Sequence, residues 1–485
     1  MSLIDIKQLS FGYDGMGSLL FDDVDLILQN NWKLGLIGRN GRGKTTFLNI
    51  LREHLPYEGR INHQLNFTYF PQKVESTRQL TYYVLQELSN FETWRIEKEL
   101  NLLQVDSEIL WREFGSLSGG EQTKVLLALL FVDDINFPLI DEPTNHLDIV
   151  ARQQVVDYLK HKKQGFILVS HDRDFVDQVV DHILSIEKSQ LILYKGNFSV
   201  YEEQKALRDQ FEQVENEKLK LEIKRISTAA DEMLCWSKQR ENESKDSSSR
   251  KIAKKQAKRA KGILKRTEEK KEEKEILLKN IEYIESLTMN YIPYKHHKRL
   301  IHAENFQLSY EKALFQSISF DLEQGQRIAI QGCNGSGKSS IIKYLLGQFD
   351  GHSSGEIERP GNLNISYVRQ NYEDNQGTLS EFADANGVPF QDLLNNLRKL
   401  GFERNVFNNR IENMSMGQKK RVEIAKSLAQ PAELYIWDEP LNYLDVFNQQ
   451  QLEKVIQSVK PTMLIVEHDR KFLENIATEV ISLIK

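Results

Sequence analysis

Two short stretches, IGRNGRGKT at Ile37–Thr45 and QGCNGSGKS at Gln331–Ser339, hold glycines, a lysine and a hydroxyl residue in one spacing, G-x-x-x-x-G-K-[ST]. Gly38, Gly41 and Gly43, and their counterparts Gly332, Gly335 and Gly337, let successive backbone N–H groups curl around phosphate oxygens, with Asn40 and Asn334 inside the curl. Lys44 and Lys338 bring a cation to the outer phosphates, and Thr45 and Ser339 offer a hydroxyl to Mg²⁺. Thr46 and Ser340 follow on the phosphate side. The pairs Asp141-Glu142 and Asp438-Glu439 end apolar runs, as expected where a strand delivers carboxylates beside such a loop. The aspartate would hold Mg²⁺ through water and the glutamate would polarise the water attacking a γ-phosphate. His171 and His468 follow the apolar runs FILVS and MLIVE. A lone histidine there is more often structural; its repetition favours a catalytic reading.

These residues recur because the chain repeats. The phosphate loops lie 294 positions apart, while the carboxylate pairs, the histidines and Tyr13/Tyr310 lie 297 apart. Within each copy strand-like and helical runs alternate, which predicts an α/β domain with a largely parallel sheet. Pro138 is out of place in a buried strand, so either a bulge accommodates it or the strand starts at Leu139. The expected domains are cassettes at 1–194 and 297–485 around a linker at 195–296. In the linker Leu207, Phe211, Val214 and Leu221, and later Leu277, Ile281, Ile284 and Leu287, predict two long helices packed antiparallel, with a tip near 233–250.

The returning helix opens with SRKIAKKQAKRAKGILKR, Ser249–Arg266, nine Lys and Arg without an acid, in a chain of net charge −6. The rest of the protein is therefore strongly acidic. Such a face contacts nucleic-acid phosphates or keeps an exposed coiled coil soluble; charge alone weighs these evenly. At 485 residues with 40% hydrophobic content, the chain makes two or three domains. Its longest apolar runs, such as Val125–Val132, are too short to cross a bilayer, and the strand-like start lacks a signal peptide, so a cytoplasmic protein is expected. Cys235 and Cys333 suit a reducing compartment and read as incidental.

LSGGEQ, Leu117–Gln122, precedes a helical run and lies shortly before the first carboxylates. With it the chain resembles the ATP-binding cassette superfamily over nearly all of both repeats. The resemblance implies ATP and Mg²⁺ at two sites, adenine stacked on Tyr13 and Tyr310, and Gln72 and Gln370 sensing Mg²⁺ and γ-phosphate. It also implies head-to-tail closure, so that each phosphate loop meets the other cassette's signature: Ser118, Gly119 and Gly120 in one, Ser415, Gly417 and Gln418 in the other. The second signature departs from the pattern, with Met416 where glycine is expected, and it would face Gly38–Thr45. The two sites should hydrolyse at different rates.

Tandem cassettes joined by a long charged linker, with no membrane span, are similar to the ABC-F family, soluble ATPases acting on ribosomes. In that family the linker enters the tRNA exit site and approaches the peptidyl-transferase centre. Here Lys251, Lys254, Lys255, Lys258 and Arg259 are set against rRNA and P-site tRNA of the 70S ribosome, and Trp236 either stacks on RNA or caps the coiled coil. From Gln72 to Ser118 is 46 residues and from Gln370 to Ser415 is 45, leaving no additional arm in the first cassette. That resembles the antibiotic-resistance branch, which protects ribosomes from lincosamides, pleuromutilins and group A streptogramins. The expected protein is a monomer with an intramolecular cassette sandwich. The alternative is a translation factor that resolves stalls or gates elongation without any drug.

Overall fold

The structure is a computed structural model and describes residues 3–13, 19–133, 135–144, 147–243, 285–295, 298–333, 335–402, 404 and 406–484; side chains are described outside 149 and 229–243. The chain divides into two compact units, Met1–Ser199 with Ile284–Lys485, and Val200–Tyr283. In the first copy the chain runs β1 (Leu3–Phe11), β2 (Phe21–Gln29), β3 (Lys33–Gly38), α1 (Lys44–Leu51), β4 (Glu58–Asn62) and β5 (Asn66–Phe70). It continues through α2 (Thr81–Leu88), α3 (Thr93–Leu102), α4 (Gly119–Leu130), β6 (Asn136–Asp141), α5 (Ile149–His161), β7 (Phe166–Val169), α6 (Arg173–Val179), β8 (His182–Glu187) and β9 (Gln190–Lys195). The second copy supplies β10 (Arg299–Ser309), β11 (Ile318–Glu323), β12 (Arg327–Gln331), β13 (His352–Glu358), β14 (Ile365–Val368), β15 (Leu434–Asp438), β16 (Met463–Val466) and β17 (Glu479–Ser482).

Each copy pairs a small antiparallel sheet, β2-β1-β4 or β11-β10-β13, with a larger one, β5-β6-β7-β3-β8-β9 or β14-β15-β16-β12-β17. The large sheets are parallel except for β9. Their central strands are buried throughout, FILV in β7 and MLIV in β16, which is why they read as continuous apolar runs. The antiparallel strands alternate instead, and both copies break the alternation at one corresponding position among others. In β1 the buried set passes from Ile4 and Ile6 to Leu9 and Phe11 across a register shift at left-handed Gln8 (φ 52°). Asn305 (φ 48°) does the same in β10.

Pro138 is resolved differently from either expectation. β6 starts at Asn136 and pairs with β5 through Pro138 without a bulge. Pairing with β7 begins only at Leu139, so the proline sits before the register that a missing N–H would break.

In the second unit α7 runs unbroken from Phe198 to Glu243, through the first half of the expected tip. The expected packing stripe is corrected: Leu207, Phe211, Val214 and Leu221 are exposed, the first by 67%, whereas Tyr201 and Asn216 are buried. The returning helix, with Leu277, Ile281 and Ile284, lies outside the described residues. Leu287 belongs instead to the second cassette's core, packed with Leu393 and Leu397.

The cassettes meet through buried charge. Arg173, at the start of α6, pairs with Glu453 of the helix Val446–Val459, and its guanidinium lies 4.0 Å from Asp469. Arg173→Met leaves these carboxylates without their cation at the interface. It is expected to cost about 3–5 kcal/mol, because removing one partner strands the others. A thermal melt checks this: the transition should fall by several degrees, and an unchanged melt would exclude a structural role.

Candidate functional site

Each phosphate loop joins the end of a buried strand to a helix that has no side-chain cap. α1 follows β3, and the helix Lys338–Leu345 follows β12. The first helical amides are thereby left for an anion. The glycine before each lysine is left-handed, Gly43 at φ 92° and Gly337 at φ 85°. A Cβ on Gly43 would come within 2.4 Å of the Leu20 side chain, so only glycine makes this turn. Lys44 Nζ donates to the carbonyl of Gly38 (2.8 Å) and to Asn40 Oδ1 (3.2 Å). Lys338 Nζ donates to the carbonyls of Gly332 (2.8 Å) and Cys333 (3.1 Å). Both lysines thus lie over the loop they serve. Asn334 lies outside the described residues.

The carboxylates arrive on neighbouring strand ends. Thr45 Oγ1 donates to Asp141 Oδ2 (3.0 Å), which also accepts from the Tyr69 hydroxyl (3.1 Å). Ser339 stands beside Asp438, whose Oδ1 is buried without a hydrogen-bond partner. A hydroxyl beside a carboxylate with spare lone pairs is the oxygen donor set that a hard divalent cation takes, so the residues fit Mg²⁺. Burial pushes Asp438 up to about 6. Glu142 and Glu439 are held left-handed, at φ 53° and 47°, and their N–H groups donate to Val169 and Val466 at 2.8 Å. Burial and the neighbouring Asp141 raise Glu142 to about 8, against the opposing pull of Lys44. His171 Nε2 lies 3.3 Å from Glu142, and His468 Nε2 lies 3.8 Å from Glu439. Burial, with Lys44 beside it, pushes His171 well below its ordinary value; burial and then Lys338 take His468 to about 4. Both imidazoles are neutral near pH 7.

The rings that could stack a base are half exposed, Tyr13 by 44% and Tyr310 by 47%. The Tyr13 hydroxyl and Thr46 Oγ1 lie 3.0 Å apart, and Tyr310 tilts against Phe349 with centroids 5.1 Å apart. The two glutamines separate: Gln370 lines the central cavity, of about 1010 Å³, with Ser339 and Ser340, whereas Gln72 turns its amide to the carbonyl of Leu126 (3.2 Å).

The second signature meets the first phosphate loop as expected, since a Cβ on Gly417 would lie 3.8 Å from Asn40 Nδ2. Ser415 caps its helix reciprocally with Gln418, whose side chain accepts from the Ser415 amide (2.9 Å). Ser118 does the same with Glu121, placing Gly119 and Gly120 in the first turn of α4. Residues outside the recognised motifs complete the junction. Asn40 N–H donates to Asp445 (2.7 Å), and its side chain donates to the carbonyl of Tyr443 (3.2 Å). Arg152 donates to the carbonyl of His468 (3.4 Å) and pairs with Asp172 (2.8 Å), while Gln449 donates to the carbonyl of His171 (3.1 Å). Arg152 and Gln449 are 297 positions apart, so aligning the two copies could have singled them out.

The profile of the family described as ABC transporter matches residues 21–145 and 315–442. The chain is 30% identical over 479 residues to the ribosome protection protein VmlR of Bacillus subtilis, covering 97% of this chain and 85% of that one. It is 27% identical to the ATP-binding protein Uup of Escherichia coli, covering 95% and 77%. An archaeal ribosome recycling factor, aABCE1, solved with the ribosomal stalk protein aP1, superposes with a TM-score of 0.63 at 20% identity, over 98% of this chain and 87% of that one; it shares the fold. Among the described residues no helix is long and apolar enough to cross a membrane. Paired phosphate loops, paired carboxylates and a signature closing on the opposite loop make this chain a member of the ATP-binding cassette family, an ATPase of the tandem ABC-F type.

Proposed function

We propose that the protein is a cytoplasmic, monomeric ATPase that binds the 70S ribosome and protects its peptidyl-transferase centre from lincosamides, pleuromutilins and group A streptogramins. The observation that carries this reading is the resemblance to a ribosome protection protein across 97% of the chain, the long α7 included. The linker, taken as 195–296 between cassettes 1–194 and 297–485, reaches P-site tRNA and rRNA through its basic residues. Trp236 lies in α7 with its side chain outside the description; Lys251, Lys254, Lys255, Lys258 and Arg259 lie outside the described residues.

At each ATP site the adenine stacks on Tyr13 or Tyr310, and the loop amides take the β- and γ-phosphates. Lys44 and Lys338 exchange carbonyl partners for phosphate oxygens. Thr45 with Asp141, and Ser339 with Asp438, would hold Mg²⁺, helped by Gln370 and, once its amide leaves Leu126, by Gln72. The ion supplies charge neutralisation at the transferring phosphate. Glu142 and Glu439 polarise the attacking water, neutral His171 and His468 contact the γ-phosphate, and the signature residues of the opposite cassette close over it. Hydrolysis then reopens the sandwich and releases the ribosome.

A doubly substituted Glu142→Gln/Glu439→Gln protein should keep ATP but not hydrolyse it, and so should co-sediment with 70S ribosomes. Failure to pellet would remove the ribosomal reading. Expression in a drug-sensitive host should raise the inhibitory concentration of these drugs; an unchanged value with ribosome binding intact would favour a drug-independent translation factor. A pH prediction follows from Glu142. In Glu439→Gln, where hydrolysis is left to Glu142, the carboxyl raised to about 8 is mostly protonated at neutral pH, and only its ionised form accepts a proton from water. Single-turnover rates should therefore climb with pH toward that value and level off above it; a flat profile would contradict the assignment.

A further inference from the structure

The two catalytic carboxylates are not held alike. In the first cassette the amide of His171 donates to Glu142 Oε2 (3.3 Å), while Oε1, 3.3 Å from the imidazole, is buried without a hydrogen-bond partner. In the second cassette the amide of His468 goes elsewhere. It donates to Glu467 Oε1 at 2.6 Å, the same oxygen accepts from the Asp469 amide (3.3 Å), and Glu467 Oε2 accepts from the Leu441 amide (3.1 Å). Glu439 takes instead the side-chain amide of Asn442 (2.8 Å on Oε2), with His468 Nε2 at 3.8 Å from Oε1.

The difference traces to one position. Glu467 corresponds to Ser170 at the 297-residue offset that relates Glu439 to Glu142 and His468 to His171. The Ser170 hydroxyl is too short to reach the amide that follows it. It lies 3.3 Å from Thr144 Oγ1 and accepts from the Asp172 amide at 3.2 Å. Glu467 is 4% exposed, and its two oxygens tie the histidine turn to Leu441, two residues past Glu439.

We propose that Glu467 is a positioning residue that captures the His468 amide, leaving Glu439 to a side-chain donor that water can displace and making the Lys338 site the faster of the two. Each carboxylate accepts one N–H, but the donor to Glu142 is fixed in the main chain, whereas the Asn442 side chain can rotate off Glu439 in favour of water without moving the backbone. This inference rests on Glu142 and Glu439 being the water-polarising groups. The single variants Glu142→Gln and Glu439→Gln report on that by themselves, since each must lower turnover.

The test compares single-turnover hydrolysis in two backgrounds, with ATP affinity measured by a fluorescent ATP analogue. In Glu142→Gln, where only the Lys338 site turns over, the rate should exceed that of Glu439→Gln. Adding Glu467→Ser should lower it about tenfold with affinity unchanged, since the loss is of positioning rather than of binding. Glu467→Gln, which keeps an oxygen for the His468 amide, should retain most of the rate. In Glu439→Gln the same Glu467→Ser change should have little effect. Equal losses in both backgrounds, no loss in Glu142→Gln, or a Gln variant as slow as the Ser variant would each overturn the proposal. If Glu467→Ser does not fold, Glu467→Met, of similar volume but without an acceptor, takes its place under the same criteria.

Discussion

The ATP sites depend on one constraint: buried parallel strands that end along the same edge of a sheet. β3 delivers the phosphate loop, β6 delivers Asp141 and Glu142, and β7 lies between them and leads to His171. The strands are held in register by backbone ladders and by apolar side chains with no exposure, such as Ile167 and Leu168. The hydroxyl of Thr45 can therefore find Asp141 without adjustment of either segment. The second copy solves the same problem with β12, β15 and β16. Crevices at the carboxyl ends of parallel strands are where such folds bind ligands.

Much of this was legible in the sequence because the determinants are local. A left-handed glycine before a lysine, a continuous apolar run ending in two acids, and a serine three residues before a glutamate each specify their own geometry without distant partners. What the sequence concealed depends on neighbours. Pro138 looked out of place without a bulge or a later strand start, yet its cost depends on where the next strand's pairing begins, which no single strand reveals. Leu207, Phe211, Val214 and Leu221 have core-like spacing but are exposed on α7. Spacing shows that residues share a face and not what the face meets. Glu467 was visible in VEHDRKF beside VSHDRDF, but its effect is the rerouting of one backbone amide, which only coordinates disclose.

Duplication followed by unequal change explains the chemistry of the interface. The first copy carries Arg152 where the second has Gln449, and Ser170 where the second has Glu467. Behind Asp438 the second copy has charged Lys420, Glu423 and Lys426, all buried, where the same offset in the first copy gives Thr123, Leu126 and Leu129. Buried ions of this kind are costly unless partnered: Lys426 bonds Glu423 at 2.6 Å and Arg369 reaches the same carboxylate at 3.2 Å, while Lys420 donates to the Arg369 carbonyl (3.5 Å) and lies over the Tyr372 ring. The two sites thus share a backbone plan while differing in the electrostatic medium around it.

Arg152 and Gln449 reach across the junction to a carbonyl, not to an imidazole. A carbonyl is supplied by every residue type, so the grip that one cassette has on the other does not depend on the chemistry of the residue it grips. On the roles proposed for His171 and His468, assembly of the sandwich and turnover within it are separate properties of the same two residues, one written in the main chain and the other in the ring. A lineage can lose hydrolysis at either site and still keep a partner that docks.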